Sequence, residues 1–408
     1  MRLVIVGHVD HGKSTLIGRI LLDTHSLPKD KLIELNRISK ELGKETQLAF
    51  LVDHLKEERD QDRTIDTTQT FFKTAKRSYC LIDSPGHTEF IKNMITAASY
   101  AHAAVLIIAA NEGVMEQTRR HAYLIKMLGI DNVITVFNKM DTINYDEKRF
   151  NILKHEISSF LDRVGIKILF SIPVSAKDGV NISAKDSLMP WDKGPTLLKA
   201  LDSIKIGVKD SGKPLRFSVQ DIYKNGPSHI VAGRVESGTI RKGDKIISLP
   251  SQVQAKVVQV ISFGKRFKFK ADAGENPGLI LDSPSCVKRG EILSSNDTPA
   301  KLSDYFKATV FWLSAQPLGN GREVTLRCTT QEVRGKVESI EQRMNSSTLD
   351  IIEENAMKLA MNEAAAVTFK TKGPFLVEKF SFIEPLGRFI IERDHVIQGV
   401  GIITQPII

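Results

Sequence analysis

Gly7-His8-Val9-Asp10-His11-Gly12-Lys13-Ser14-Thr15 decides how the first half of this chain is read. The spacing is G-x-x-x-x-G-K-[ST], preceded by a buried-strand run over Leu3–Gly7 and followed by a helical stretch over Lys13–Leu22. A strand before and a helix after are the context this pattern requires. Glycines let backbone N–H groups close around phosphate oxygens, and the start of the helix adds a field that favours negative charge. In such a loop Asp10, His11, Gly12 and Thr15 would line the phosphates. Lys13 would reach the β- and γ-phosphates, and Ser14 would offer its hydroxyl to Mg²⁺.

Working outward, short apolar runs alternate with amphipathic ones as far as residue 200. Tyr79–Asp83, Ala104–Ala109, Val133–Asn138 and Ile172–Ser175 are predicted strands, and Thr88–Tyr100, Glu116–Leu128 and Asp146–Val164 predicted helices. This alternation implies an α/β domain, a mostly parallel sheet with helices on both faces. A last helix over Thr196–Ser203 precedes the polar linker Lys209-Asp210-Ser211-Gly212-Lys213-Pro214. From Leu215 the chain turns β-rich, with strands broken at Asn225-Gly226, Ser237-Gly238 and Lys242-Gly243-Asp244, the spacing of a small barrel. Ser294-Ser295-Asn296-Asp297-Thr298-Pro299 separates a second β-rich block. The expected organisation is a phosphate-loop nucleotide domain over residues 1–207 and two β-barrel domains over 208–298 and 299–408.

Three further segments fall at predicted strand ends, where open α/β sheets bind their ligands. Asn138-Lys139-Met140-Asp141 places a carboxylate where it can accept both N–H groups on the pyrimidine edge of guanine. Adenine has no matching donor pair, so Asp141 would select GTP over ATP. Ser175-Ala176-Lys177 supplies a second base-contacting loop. Asp83-Ser84-Pro85-Gly86-His87 would set Asp83 towards Mg²⁺, the Gly86 N–H towards the γ-phosphate, and His87 where it can orient the attacking water. Thr64 lies between the phosphate loop and Asp83 and is the natural second hydroxyl ligand for Mg²⁺. In this order and at these positions, the elements describe a switch that binds GTP or GDP with Mg²⁺ and hydrolyses GTP.

Composition bounds the remaining possibilities. The 408 residues are 41% hydrophobic and 26% charged, an ordinary globular mix that excludes a disordered or collagen-like chain. The longest nearly apolar run, Ala101–Ala110, is about half of what a spanning helix needs, and no secretory signal is visible, so no membrane partner is expected. Cys80, Cys286 and Cys328 are odd in number and widely spaced, which fits thiols in a reducing cytoplasm. The 57 Lys and Arg exceed the 48 Asp and Glu by nine. Residues 1–200 hold 28 basic and 25 acidic residues, 201–300 hold 16 and 10, and 301–408 hold 13 of each. Most of the excess therefore lies in the middle β domain and points to a partner-facing surface there.

Gly7–Thr15, Asp83–His87, Asn138–Asp141 and Ile91-Lys92-Asn93-Met94-Ile95-Thr96 together resemble the translation-factor GTPases, which include elongation factor Tu. The resemblance runs the length of the chain and implies slow intrinsic hydrolysis without a partner. Two subfamilies compete. His8 and His11 look like the elongation factors, which deliver aminoacyl-tRNA to the ribosome. Met189-Pro190-Trp191 with Gly194-Pro195-Thr196-Leu197 argues only against the bacterial Tu type. Ser248-Leu249-Pro250-Ser251, Ala273-Gly274-Glu275, Lys288–Leu293, Phe311–Leu318 and Ile340–Leu349 are similar to the GTPase subunit of bacterial sulfate adenylyltransferase (ATP sulfurylase). The sequence reading favours that subunit, with a catalytic adenylyltransferase as its partner and no DNA. Its alternatives are an elongation factor and a GTP-dependent assembly module without coupled catalysis.

One departure from the family stands out. The resemblance implies Gly-Ile before the switch threonine, where this chain has Asp62-Arg63. Arg63 would loosen the apolar gate formed with Val9, supply transition-state charge in cis, or face solvent. In the middle domain, Lys265-Arg266-Phe267-Lys268-Phe269-Lys270 reads either as a half-exposed strand with Phe inward and Lys outward or as a docking stripe for RNA or an acidic subunit. Trp191 and Trp312 read as packing residues.

Overall fold

The computed structural model describes residues 1–27, 48, 69–83, 101–205, 207, 211–225, 228–262, 265–283 and 287–407. The chain divides into two compact units, Met1–Ile206 and Gly207–Ile408.

The first unit is built on a six-stranded sheet in the order β2-β3-β1-β4-β5-β6. Its strands are β1 (Arg2–Gly7), β2 (Gln69–Lys73), β3 (Ser78–Asp83), β4 (Ala103–Ala109), β5 (Val133–Asn138) and β6 (Ile168–Pro173). All neighbours are parallel except β2, which runs antiparallel to β3 at the edge. The central strands β4 and β5 are buried at every residue, as expected for a sheet covered on both faces. Helix α1 (Lys13–Asp23) buries Leu16, Ile17, Ile20 and Leu21 on one stripe. These side chains meet Leu3, Ile5, Val105 and Ile107 of the sheet in one apolar core. Helix α2 (Glu116–Met127) buries Ala122, Leu124 and Ile125.

Helix α3 (Glu147–Val164) has both its ends written in the sequence. Asp146 caps it by accepting from the Lys148 N–H at 2.8 Å. Gly165 closes it in the left-handed region. Helix α4 (Leu197–Ser203) ends the unit. Trp191 packs against Phe150 and donates its indole N–H to the Tyr145 carbonyl at 3.1 Å. The strand β2 had no place in the sequence reading, and the predicted helix Thr88–Tyr100 lies outside the described residues.

The second unit contains two closed antiparallel sheets. In the first, the strands follow the order Lys245–Leu249, Ile292–Ser295, Arg216–Asn225, Ser228–Ser237, Gly278–Leu281, Val253–Ser262 and Lys265–Lys268. It closes where Lys245–Leu249 also pairs with Val253–Ser262, leaving Lys265–Lys268 outside the closure as an edge strand. In the second, Glu323–Cys328 and Gln331–Asn345 make the closing pair. Its core gathers Phe306, Phe369 and Phe389, with Phe389 edge-on to the other two.

Leu249 and Ile292 of the first barrel pack into the same apolar cluster as the second. Arg216 ties the barrels across that seam. Its guanidinium is buried, pairs with Glu378 at 2.9 Å, and donates to the Leu215 carbonyl, the Ser294 hydroxyl and the Thr298 carbonyl. Trp312 is buried and donates to the Gln316 carbonyl at 2.8 Å. Among the described residues no helix is long and apolar enough to cross a membrane.

Candidate functional site

The strand order reverses around β1, so the loop after it opens at a topological switch point of the sheet. Gly7 is required there by close approach, because a Cβ on it would fall 2.4 Å from Ile107 Cγ2 of the neighbouring strand. The loop then turns through two left-handed residues, Asp10 at φ 62° and Gly12 at φ 85°, and enters α1 at Lys13. Lys13 is buried, and its ammonium donates to the carbonyls of Gly7 at 3.1 Å and His8 at 2.7 Å. The ammonium is thus held over its own loop by two backbone dipoles. Ser14 and Thr15 follow on the first turn of the helix.

Asn138 ends β5 and is buried. Its amide nitrogen donates to the His11 carbonyl at 3.0 Å, and its amide oxygen accepts from the Ala176 N–H at 3.0 Å. One side chain therefore stitches the phosphate loop to the Ser175–Lys177 loop. Both ends of the Asn138 amide thus serve backbone. Gly12 is fixed by the same contact, since a Cβ there would lie 2.4 Å from Asn138 Nδ2. Ser175 donates to Asp178 at 2.9 Å, and Arg19 of α1 donates to the Ala176 carbonyl at 3.0 Å and the Lys177 carbonyl at 2.5 Å. Lys139 takes the left-handed conformation at φ 60°, and Asp141 rides in the single turn Met140–Ile143 beyond the strand.

His11 is fully buried. Its Nδ1 lies 3.3 Å from the Ile107 carbonyl and its Nε2 lies 3.6 Å from Glu112, so two acceptors flank one ring. Burial brings its pKa down to about 4 despite those neighbours. His121 of α2 is buried, has no hydrogen-bond partner on either ring nitrogen among the described residues, and is brought down by burial to about 3. Glu112 also reaches Lys139, 3.4 Å from its ammonium. Glu112 escaped the sequence reading because it lies in a turn with no motif of its own.

Asp83 ends β3, is 4% exposed and belongs to the strand paired directly with β1. A buried carboxylate at that strand end and the Ser14 hydroxyl at the helix start are hard oxygen donors of the kind Mg²⁺ takes, so the residues fit the ion. The predicted site residues Arg63, Thr64, Gly86 and His87 lie outside the described residues.

In the second unit the basic stripe departs from the inward-Phe expectation. Phe269 is 70% exposed, because the edge strand ends at Lys268 and a new pairing with Thr239–Arg241 begins at Lys270. Lys268 pairs with Glu275, and Lys270 with Asp272 at 2.9 Å. These lysine hydrogen bonds hold both carboxyls below their ordinary range.

Comparison with known proteins follows the same division of the chain. Residues 1–206 match the family described as Elongation factor Tu GTP binding domain, 228–294 match Elongation factor Tu domain 2, and 305–404 match GTP-eEF1A C-terminal domain-like. Elongation factor 1-alpha of Aeropyrum pernix is 37% identical over 421 residues, covering 99% of this chain and 96% of that protein. Elongation factor 1-alpha of Pyrococcus furiosus is 38% identical over 418 residues, covering 99% and 97%. A solved structure, the crystal structure analysis of sup35 complexed with GDP, aligns over 100% of this chain and 94% of its own at 25% identity and a TM-score of 0.48.

These relatives overturn the expectation of a sulfate adenylyltransferase subunit with an adenylyltransferase partner. Side chains in three of the segments behind that expectation make hydrogen bonds internal to the first barrel. Ser248 donates to Glu291 at 2.5 Å, Glu291 accepts from the Lys288 N–H at 3.1 Å, and Glu275 accepts from the Asp272 N–H at 2.8 Å. Such contacts hold a barrel together whatever its partner is.

Proposed function

The chain belongs to the elongation factor Tu and elongation factor 1-alpha family of GTPases, and from that premise we propose that it is a translation factor which carries aminoacyl-tRNA to the ribosome in its GTP form. GTP or GDP and Mg²⁺ are its cofactors. The observation that carries the reading is the match to elongation factor 1-alpha over 99% of the chain, both barrels included. A GTPase domain alone would suit many switches, whereas the barrels are where a cargo is chosen.

In this reading Asp10, His11, Gly12, Lys13 and Thr15 hold the phosphates, and Asp141 reads the guanine edge. Asn138 and Ser175–Lys177 keep the base pocket in register, with Lys139 beside it. Ser14, Thr64 and Asp83 hold Mg²⁺, which when bound draws charge from the β- and γ-phosphate oxygens. Gly86 senses the γ-phosphate and His87 orients the attacking water. Arg63, in place of the family's gate residue, stands nearest the switch threonine, and the GTPase rate of Arg63→Ile tests whether it matters. The domains divide at residues 207 and 298. The exposed Phe269 among lysines, in the domain with the largest basic excess, suits an RNA partner. The place of work is the cytoplasm, where the ribosome is.

The test is protection of aminoacyl-tRNA against spontaneous deacylation. Protection with GTP and none with GDP is expected. Equal behaviour with both nucleotides would refute the assignment.

A further inference from the structure

Arg19 follows Lys13 on α1, about 9 Å along the helix axis from the phosphate end. Its guanidinium reaches the Ser175–Lys177 loop as a fork. Nε donates to the Ala176 carbonyl at 3.0 Å and Nη2 to the Lys177 carbonyl at 2.5 Å. A planar guanidinium fixes two successive carbonyls in one geometry, whereas a lysine ammonium on its flexible stem would not. The fork is itself held in place. Asp23, one turn further along α1, lies 3.6 Å from Arg19 Nη1 and accepts from the Ser183 hydroxyl at 2.8 Å. Gly179 passes close over the group in the left-handed region at φ 82°, where a Cβ would come within 3.3 Å of Nη1.

The loop that Arg19 holds is closed on itself. The Ser175 carbonyl accepts from the Gly179 N–H at 2.8 Å and the Val180 N–H at 3.1 Å, and the Ser175 hydroxyl donates to Asp178 at 2.9 Å. A turn closed in this way needs outside anchors to fix how it faces a base. Ala176 is buried and takes one on each side: its N–H donates to the Asn138 amide oxygen at 3.0 Å, and its carbonyl accepts from Arg19. The helix behind Arg19 is seated firmly, because Leu16, Ile17, Ile20 and Leu21 pack in the core of the sheet.

We propose that Arg19 is a positioning residue that makes α1 a strut between the phosphate loop and the guanine loop, so that bound GDP and GTP are released slowly. The inference rests on the reading of this chain as a GTP-binding protein. It assigns Arg19 no contact with nucleotide; the residue acts through the Ala176 and Lys177 carbonyls. Asn138 anchors the same loop through neutral hydrogen bonds, and the guanidinium adds two charge-assisted ones from the opposite side of Ala176.

The test is dissociation of fluorescently labelled GDP from the full-length protein, chased with unlabelled GDP. Arg19→Ala should release it about tenfold faster, the effect of losing one charge-assisted hydrogen bond from the bound state. Arg19→Lys keeps the charge without the fork and should still release it faster than wild type. Hydrolysis of GTP already bound, followed in a single turnover, should stay within about twofold, because no group at the phosphates is altered. An unchanged release rate in Arg19→Ala, or a wild-type rate in Arg19→Lys, would overturn the proposal. A fall in melting temperature without faster release would do so too, by making Arg19 structural only. Should Arg19→Ala not fold, Arg19→Gln keeps a polar stem, removes the charge and the fork, and carries the same comparison. If the wild-type protein fails to bind labelled GDP, the GTPase reading itself falls, and that outcome is distinct from wild-type binding with an unaltered variant.

Discussion

Replacing Asn138 with alanine removes the side chain that joins two binding loops while touching no phosphate. Two hydrogen bonds go, the one to the His11 carbonyl and the one from the Ala176 N–H, each 3.0 Å long and sealed from water. At about 1 kcal/mol net per bond, the loss is about 2 kcal/mol, and more if the backbone groups stay buried without water. Part of it appears as lower stability of the free protein. The rest appears as weaker binding, because nucleotide must then reassemble loops that have drifted apart. Were all of it to fall on binding, GDP affinity would drop about 30-fold. Equilibrium titration with labelled GDP and urea unfolding, each done on wild type and Asn138→Ala, measure the two parts. Their sum should come to about 2 kcal/mol. A sum under about 0.5 kcal/mol would show that the loops hold their register without Asn138, and the stitching argument would fail.

Three other outcomes follow from the geometry. Gly12→Ala strains a left-handed residue and drives a methyl to within 2.4 Å of Asn138 Nδ2, so GDP affinity measured by calorimetry should fall at least about tenfold. Arg216→Ala removes a buried guanidinium and leaves the partly buried Glu378 without its partner across the barrel seam; it should cost about 3 kcal/mol, read as the denaturation midpoint of the second unit. His121 has a folded pKa of about 3 against about 6.5 unfolded, so the unfolded chain takes up the proton first and stability falls as pH drops below about 6.5. His121→Leu should flatten that acid loss in pH-dependent melting curves; an identical slope would place the sensitivity elsewhere, with His11 the next candidate.

Much of this fold is legible because its signals are local. Asp146 and Gly165 bound α3 by chemistry within a few residues, and the all-apolar runs of β4 and β5 leave little choice but a covered parallel strand. The strand Gln69–Lys73 is harder. It is five residues long, lies at the edge and alternates exposed with buried residues, so it gives no continuous apolar run. At the site, motif spacing placed Lys13 at a helix start and Asp141 just beyond a strand end but gave no sign of the backbone partners of Asn138, which are 127 and 38 residues away. Glu112 gave no signal because it lies in a turn outside every motif. The subfamily was misjudged on short segments, three of which place Ser248, Glu275 and Glu291 in hydrogen bonds internal to the first barrel.

The lysine of the phosphate loop carries a last consequence. Two of the N–H groups of its ammonium are taken up by the Gly7 and His8 carbonyls. A flexible four-carbon stem is thereby tethered at its charged end, so the rotamer freedom that a lysine ordinarily gives up on meeting a partner is already given up in folding.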